Sequence, residues 1–191
     1  MWKAVLKGCA MIVVMAAMVF SYFTRPWHYP SSLPEAACTG NIVGAFRRLR
    51  NGDSPDVTVP GWPYEGKAMF LAIDNTGCPK PMAFGLVELL HFYNSNAQVA
   101  TSAGYTVLML AASEGNEAVA RKLIRWGARV DDQDSSGRTA LMYAAESGHE
   151  NFVRFLLGSG ADSRIKNREN MTASDLARVS GHEELARQID N

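Results

Sequence analysis

The sequence predicts an all-α protein: a solenoid of stacked helix-turn-helix units with finger loops, preceded by one N-terminal transmembrane or signal helix. Three observations support this prediction. One pattern recurs at a fixed spacing through the C-terminal half, residues 8–24 carry no charged side chain, and apolar residues lie at helical spacing between regularly placed glycines. A single repeat unit cannot bury its own apolar face, so the units must stack.

Composition narrows the class of partner. The chain has 191 residues and is 47% hydrophobic, so it can bury a core. Lysine and arginine total 19, and aspartate and glutamate also total 19, which leaves no formal net charge. Phosphate contacts need an excess of basic residues, so the balance argues against nucleic acid as the partner and leaves a protein partner open.

The segment 1–24 has the properties of a membrane helix or a signal segment. From Ala4 to Phe23 the only charged residue is Lys7, and twenty helical residues cover about 30 Å, the hydrocarbon thickness of a bilayer. Positive charges precede the apolar stretch, which places the N-terminus in the cytoplasm. We therefore predict an uncleaved anchor over 1–24 and an extended spacer over 25–33. In a bacterium the remainder would lie in the periplasm, tethered to the inner (cytoplasmic) membrane; cleavage would instead give a soluble periplasmic protein.

The internal repeat is visible as a direct match between two segments. The segment from Gly104 to Ala112, GYTVLMLAA, reappears as GRTALMYAA from Gly137 to Ala145, at an offset of 137 − 104 = 33 positions. The same offset relates four further pairs: Gly115 and Gly148, Leu123 and Leu156, Gly127 and Gly160, and Thr139 and Thr172. So many matches at one period indicate a repeat architecture.

This pattern resembles the ankyrin repeat, whose signature is G-x-T-P-L-H-x-A-A-x-x-G-H/N, followed by an apolar helix and L-L-x-x-G-A-D. The best copy runs from Gly137 to Asp162. In the three clearest copies the signature proline is replaced by Val107, Ala140 and Ala173. The signature histidine is replaced by Met109, Met142 and Asp175. The histidine normally joins a hydrogen-bond network with the threonine, so we expect an altered network in an unchanged fold.

Each recurring position of the pattern has a physical role within the chain. We expect Thr106 and Thr139 to cap the first helix of their repeats. Four glycines are expected to turn the chain or to end the second helix: Gly115, Gly148, Gly127 and Gly160. Apolar residues of the second helices should mostly face the adjoining repeat: Val119, Leu123, Ile124, Val153, Phe155, Leu156 and Leu157.

The repeat domain is predicted over 34–191, with units at approximately 34–63, 64–100, 101–133, 134–166 and 167–191. The first is degenerate, from Ala36 to Gly52. In the second, Met69 to Ile73 and Leu86 to Leu90 resemble the two helices, separated by an insertion from Asn75 to Pro81, and an excursion from Phe92 to Asn96 replaces the usual tight turn. The last unit is more polar, as expected of a C-terminal cap.

No catalytic or metal-binding motif is present in the sequence, so we expect no enzyme, no cofactor, no metal site and no small-molecule substrate. His149 and His182 occupy the same repeat position, and we expect them to be structural. The resemblance implies that a protein partner binds the finger tips and the exposed side of the first helices. Mapped onto this chain, that surface comprises Ser102, Tyr105, Ser113, Glu114, Ser135, Arg138, Glu146, Ser147, Arg168, Glu169 and Met171.

A disulfide between Cys38 and Cys78 is a further prediction. The register places Cys38 at the end of the first helix of repeat one and Cys78 in the insertion of repeat two, whose loop could close the gap between them. An oxidising periplasm would let the bond persist. Two free thiols are the alternative.

The function predicted from the sequence is a membrane-tethered protein-binding module that faces the periplasm. One specific version is an immunity protein that neutralises a toxin delivered there. The alternatives are a cytoplasmic-facing scaffold or regulator of a membrane protein, and an accessory factor in envelope stress or oxidant defence.

Overall fold

A computed structural model describes residues 42–56, 64, 67–74, 80–93 and 95–190, which fall into two compact units, one ending at Asn96 and one beginning at Ala97. Within these ranges the regular secondary structure is helical, apart from one isolated bridge between Ala100 and Thr106, which agrees with the all-α prediction. The predicted anchor 1–24, the spacer 25–33 and the two cysteines of the predicted disulfide, Cys38 and Cys78, lie outside the described residues. None of the helices in the described ranges has both the length and the apolar character needed to span a bilayer.

The described residues of the first unit form three helices: α1 (Ile42–Arg50), α2 (Ala68–Ile73) and α3 (Lys80–Phe92). Helix α3 packs against both α1 and α2, and all six residues of α2 are buried. Helix α1 lies within the degenerate first repeat predicted from Ala36 to Gly52, and α2 covers the helix predicted from Met69 to Ile73. Helix α3 begins at Lys80, well before the predicted Leu86. Pro81 lies in its first turn, where a backbone N–H would have no intrahelical acceptor, so the proline loses no helical hydrogen bond there.

The end of α3 makes a backbone hydrogen bond that recurs in the later repeats. The Ser95 N–H donates to the Leu90 carbonyl oxygen at 3.0 Å, and in the next two repeats the corresponding bonds at Ala128 and Ala161 are 2.9 and 3.1 Å. The described residues on either side of this position thus share one backbone hydrogen bond with the later repeats.

A carboxylate fastens the loop after α1 to Ser95 and Asn96, which follow α3. The Ser95 hydroxyl donates to Asp56 Oδ1 at 2.5 Å, and the Asn96 N–H donates to Asp56 Oδ2 at 3.1 Å. Ser95 is only 4% exposed, so this bond satisfies a buried polar group whose isolation would be costly.

The second unit contains three helical pairs: α4 (Val107–Ser113) with α5 (Glu117–Arg125), α6 (Ala140–Glu146) with α7 (Glu150–Gly158), and α8 (Ala173–Val179) with α9 (Glu183–Asp190). The first helices α4, α6 and α8 pack side by side, and each packs against the second helix that follows it. This arrangement is a repeat stack, in which each pair contacts only its neighbours.

Threonine caps begin all three first helices, as predicted for Thr106 and Thr139. The hydroxyl of each accepts the backbone N–H three residues later, at 3.2 Å for Thr106 and 3.4 Å for Thr139. In the first copy Met109 Sδ accepts the Thr106 N–H at 3.3 Å, in the place of the missing histidine. In the third, Asp175 accepts both the N–H and the hydroxyl of Thr172, at 2.9 and 2.8 Å.

The finger loops bond to one another along the stack. The Ser135 N–H donates to the Ala103 carbonyl oxygen at 2.7 Å, and the Arg168 N–H donates to the Ser136 carbonyl oxygen at 2.9 Å. Gly137, at φ +75°, makes this approach possible, because a Cβ there would lie 3.1 Å from the Arg168 nitrogen. Neighbouring fingers are therefore in close backbone contact.

The turns between paired helices also need glycine. Gly115 and Gly148 adopt φ +65° and +72°, as predicted, and their missing side chains make room for the rings of His149 and His182. His149 Nε2–H donates to the Ser113 carbonyl oxygen at 2.9 Å and so bonds one repeat to the preceding one. These contacts support the structural role predicted for both histidines.

The predicted core residues of the second helices divide into two groups. Four are buried: Val119, Leu123, Val153 and Leu156. Three are half-buried: Ile124, Phe155 and Leu157. The guanidinium of Arg121 in the preceding repeat lies over the Phe155 ring, 4.5 Å from its centroid.

Candidate binding surface

The predicted partner-binding residues all lie in the second unit, on the fingers and at the ends of the first helices, and none of them is buried. Five are exposed: Ser102, Ser135, Ser147, Arg168 and Glu169. Six are half-buried: Tyr105, Ser113, Glu114, Arg138, Glu146 and Met171. The half-buried group includes the residues whose side chains the structure brings together.

Two tyrosines form the centre of this surface. The rings of Tyr105 and Tyr143 meet edge to face, with centroids 5.2 Å apart and planes at 83°. The Tyr143 hydroxyl donates to Asp134 Oδ2 at 2.6 Å. Burial and this bond to a carboxylate both raise the pKa of Tyr143, so the phenol stays protonated and keeps donating at neutral pH.

An ion pair borders the tyrosines. Arg138 Nη2 lies 2.7 Å from Glu146 Oε1, and the guanidinium carbon lies 5.0 Å from the centroid of the Tyr143 ring. Burial alone would lower the pKa of Arg138, but the hydrogen bond and the charge of Glu146 outweigh it, so the pKa lies above its ordinary value. Arg138 is thus held between a carboxylate and an aromatic face.

The other tyrosine is held by a serine. The Ser113 hydroxyl donates to the Leu110 carbonyl oxygen at 2.9 Å, which leaves its oxygen to accept from the Tyr105 hydroxyl, 3.4 Å away. Burial raises the pKa of Tyr105 above its ordinary value, against the opposing effect of that bond. Both phenols are therefore neutral hydrogen-bonding groups at physiological pH.

Asp134 organises the cluster, and together with Tyr143 it was missed by sequence reasoning. Its Oδ1 accepts the backbone N–H groups of Ser136 and Arg138 at 2.8 and 2.9 Å, while Oδ2 accepts from the tyrosine. A signal for Tyr143 did exist, because the equivalent positions of the repeats before and after it are leucines. A tyrosine at a repeat position that is otherwise leucine indicates a side chain whose polar end reaches the surface.

Three of the remaining predicted residues contribute backbone hydrogen bonds in the fingers. Ser135 and Arg168 contribute backbone N–H groups to the finger-to-finger bonds, and the Met171 N–H donates to Asn167 Oδ1 at 2.9 Å. Asn167 in the last finger is thus the equivalent of Asp134 in the preceding finger. In the described part of the chain, no group of three or more histidine, cysteine or acidic residues is placed to hold a metal ion.

Comparison with known proteins identifies the architecture. The family model for ankyrin repeats (3 copies) matches residues 80–167 and 131–189, which together make up more than half of the chain. A comparison with curated proteins found no match. Ankyrin repeats serve as protein–protein interaction modules and are generally non-enzymatic. The repeat spacing, the capped helical pairs and this match lead to one conclusion: the chain belongs to the ankyrin repeat family.

Proposed function

We propose that the chain binds a protein partner on the surface formed by Tyr105, Tyr143, Arg138 and Glu146. The observation that carries the proposal is the edge-to-face tyrosine pair bordered by the ion pair, all four residues being only half-buried. Tyrosine and arginine are the residue types enriched at energetic centres of protein interfaces. This surface therefore offers the partner large contact area with polar groups at its edge.

The bonds within the cluster reduce the cost of binding. Arg138 and Tyr143 are each held by two partners, so their rotamers are fixed before a partner arrives. Ordering a long side chain at an interface costs about 0.5–1.5 kcal/mol, and a side chain that is already ordered avoids most of that cost. Preorganisation thus favours this surface over the exposed serines of the finger tips.

We further propose that the N-terminal segment tethers the module to the inner membrane with the repeats in the periplasm. The basis is the uncharged stretch and the preceding lysines, and an immunity protein against a delivered toxin is one function that suits such a module. A cytoplasmic-facing scaffold is the alternative. Fusing a reporter that is active on only one side of the membrane to the C-terminus distinguishes the two orientations.

The binding surface is tested by crosslinked pull-down with the full-length tagged chain. Arg138→Ala and Tyr143→Ala should each lose the partners that the wild-type chain captures. Arg125→Ala is the matched control, because Arg125 is an exposed arginine on the second helix α5. Equal capture by Arg138→Ala and Arg125→Ala would place the interface elsewhere.

A further inference from the structure

Three successive repeats carry matched pairs of side chains on the proposed surface. In the first pair, Tyr105 and Ser113 are within hydrogen-bonding distance. In the second, Arg138 and Glu146 form an ion pair at 2.7 Å. In the repeat that follows, the same two positions are occupied by Met171 and Val179. By this equivalence the last repeat places an apolar pair where its neighbour places an ion pair.

Val179 is the more exposed member of this apolar pair. It is 78% exposed at the end of α8, while Met171 is half-buried. The adjacent Arg178 instead pairs with Asp190 of α9 and with Asp175. Arg178 is thus engaged within its own repeat, while Val179 stays exposed at the position equivalent to Ser113 and Glu146.

The charged groups of the preceding repeat, Arg138, Glu146 and Asp134, already have ionic or hydrogen-bonding partners. Arg138 is bonded to Glu146, and Asp134 accepts from two backbone N–H groups and the Tyr143 hydroxyl. An acidic or basic group of a partner would have to break one of these bonds or remain unpaired in a desolvated interface, which is unfavourable. This part of the surface therefore suits a neutral, hydrogen-bonding contact.

We infer, on the basis of the proposed function, that the partner inserts an aliphatic or aromatic side chain against Met171 and Val179 from an uncharged segment of its chain. The same segment continues over the ion pair of Arg138 and Glu146. Adjacent packed helices lie about 8–10 Å apart, and an extended chain rises about 3.3 Å per residue. The apolar anchor and the group over the ion pair are then about three residues apart in the partner.

Selection from a random-peptide display library on the full-length chain tests this inference without a known partner. We expect the selected peptides to share an apolar residue within an uncharged stretch. Their affinity, measured by fluorescence anisotropy, should fall about tenfold in Val179→Ser, equivalent to about 1.4 kcal/mol, and should be retained in Val179→Leu. Because the segment is uncharged, the affinity should change little between low and high salt.

The matched control is Phe92→Ser, which alters the other large exposed hydrophobic side chain of the described residues, 62% exposed in the first unit. Peptides that lose affinity in Val179→Ser but not in Phe92→Ser support the inference. Peptides sensitive to Tyr143→Ala but not to Val179→Ser would refute the apolar anchor and leave the binding surface intact. Peptides sensitive to neither would overturn both proposals.

Discussion

The packing between repeats can be tested at Leu156. Its side chain is completely buried in α7, and its carbonyl oxygen accepts the N–H of Ala161 at the end of that helix. Leu156→Ala removes three carbons, which costs about 2.4 kcal/mol in transfer free energy at about 0.8 kcal/mol for each. The cavity left behind adds to this, so we expect a total loss of about 2–5 kcal/mol.

The neighbouring Leu157 supplies a control with the same chemical change. It belongs to the same helix but is only half-buried, so Leu157→Ala removes less buried surface and leaves a more open site for the solvent to fill. We expect it to cost about 1 kcal/mol, a typical value for a single substitution. The comparison cancels the change in helix propensity, because leucine becomes alanine in both variants.

Unfolding of both variants and of the wild-type chain should be followed by far-UV circular dichroism during heating. For a unit of this size, about 1 kcal/mol lowers Tm by about 4–8 °C, so the Leu156 variant should melt at least about 8 °C below the wild type. If the two variants melt at the same temperature, the burial assigned to Leu156 is wrong, and with it the assignment of the repeat core.

Three other measurements test separate features. Gly137→Ala should destabilise the fold more than Gly160→Ala in chemical denaturation, because both glycines have positive φ but only Gly137 lies against the backbone of the next finger; equal losses would argue against close finger contact. Backbone and hydroxyl bonds at the start of α8 lower the pKa of Asp175, so its contribution to stability is present above about pH 3.9 and is lost as the pH falls through the lowered value. Asp175→Asn should lose less stability than the wild type on acidification in pH-dependent melts, and parallel curves would contradict this. Non-reducing mass spectrometry of exported protein should show Cys38 joined to Cys78, and two free thiols there would contradict the predicted disulfide and weaken the periplasmic assignment.

The repeat architecture was predictable because its physical requirements fall on residue types that stand out. A positive φ favours glycine, and a helix start favours a hydroxyl or carboxylate side chain, so Gly148 and Thr139 predicted a turn and a cap that the structure contains.

The side-chain cluster was predictable only in part. Tyr105, Arg138 and Glu146 were identified because the family's binding positions map onto them. Tyr143 and Asp134 were missed because their importance depends on their contact with each other and with Arg138. Contacts of that kind depend on side-chain rotamers, which the repeat period does not specify.

The finger contacts also limit how this protein could be lengthened. Asn170 has φ +62°, at the position where the two preceding fingers have glycine, and those glycines lie against the backbone of the following finger. In a designed extra repeat inserted between residues 166 and 167, the finger backbone would pack against Gly137, which has no side chain to obstruct it. In a repeat appended after α9, the finger backbone would instead pack against the side chain of Asn170. We therefore expect such an extension to need Asn170→Gly as well.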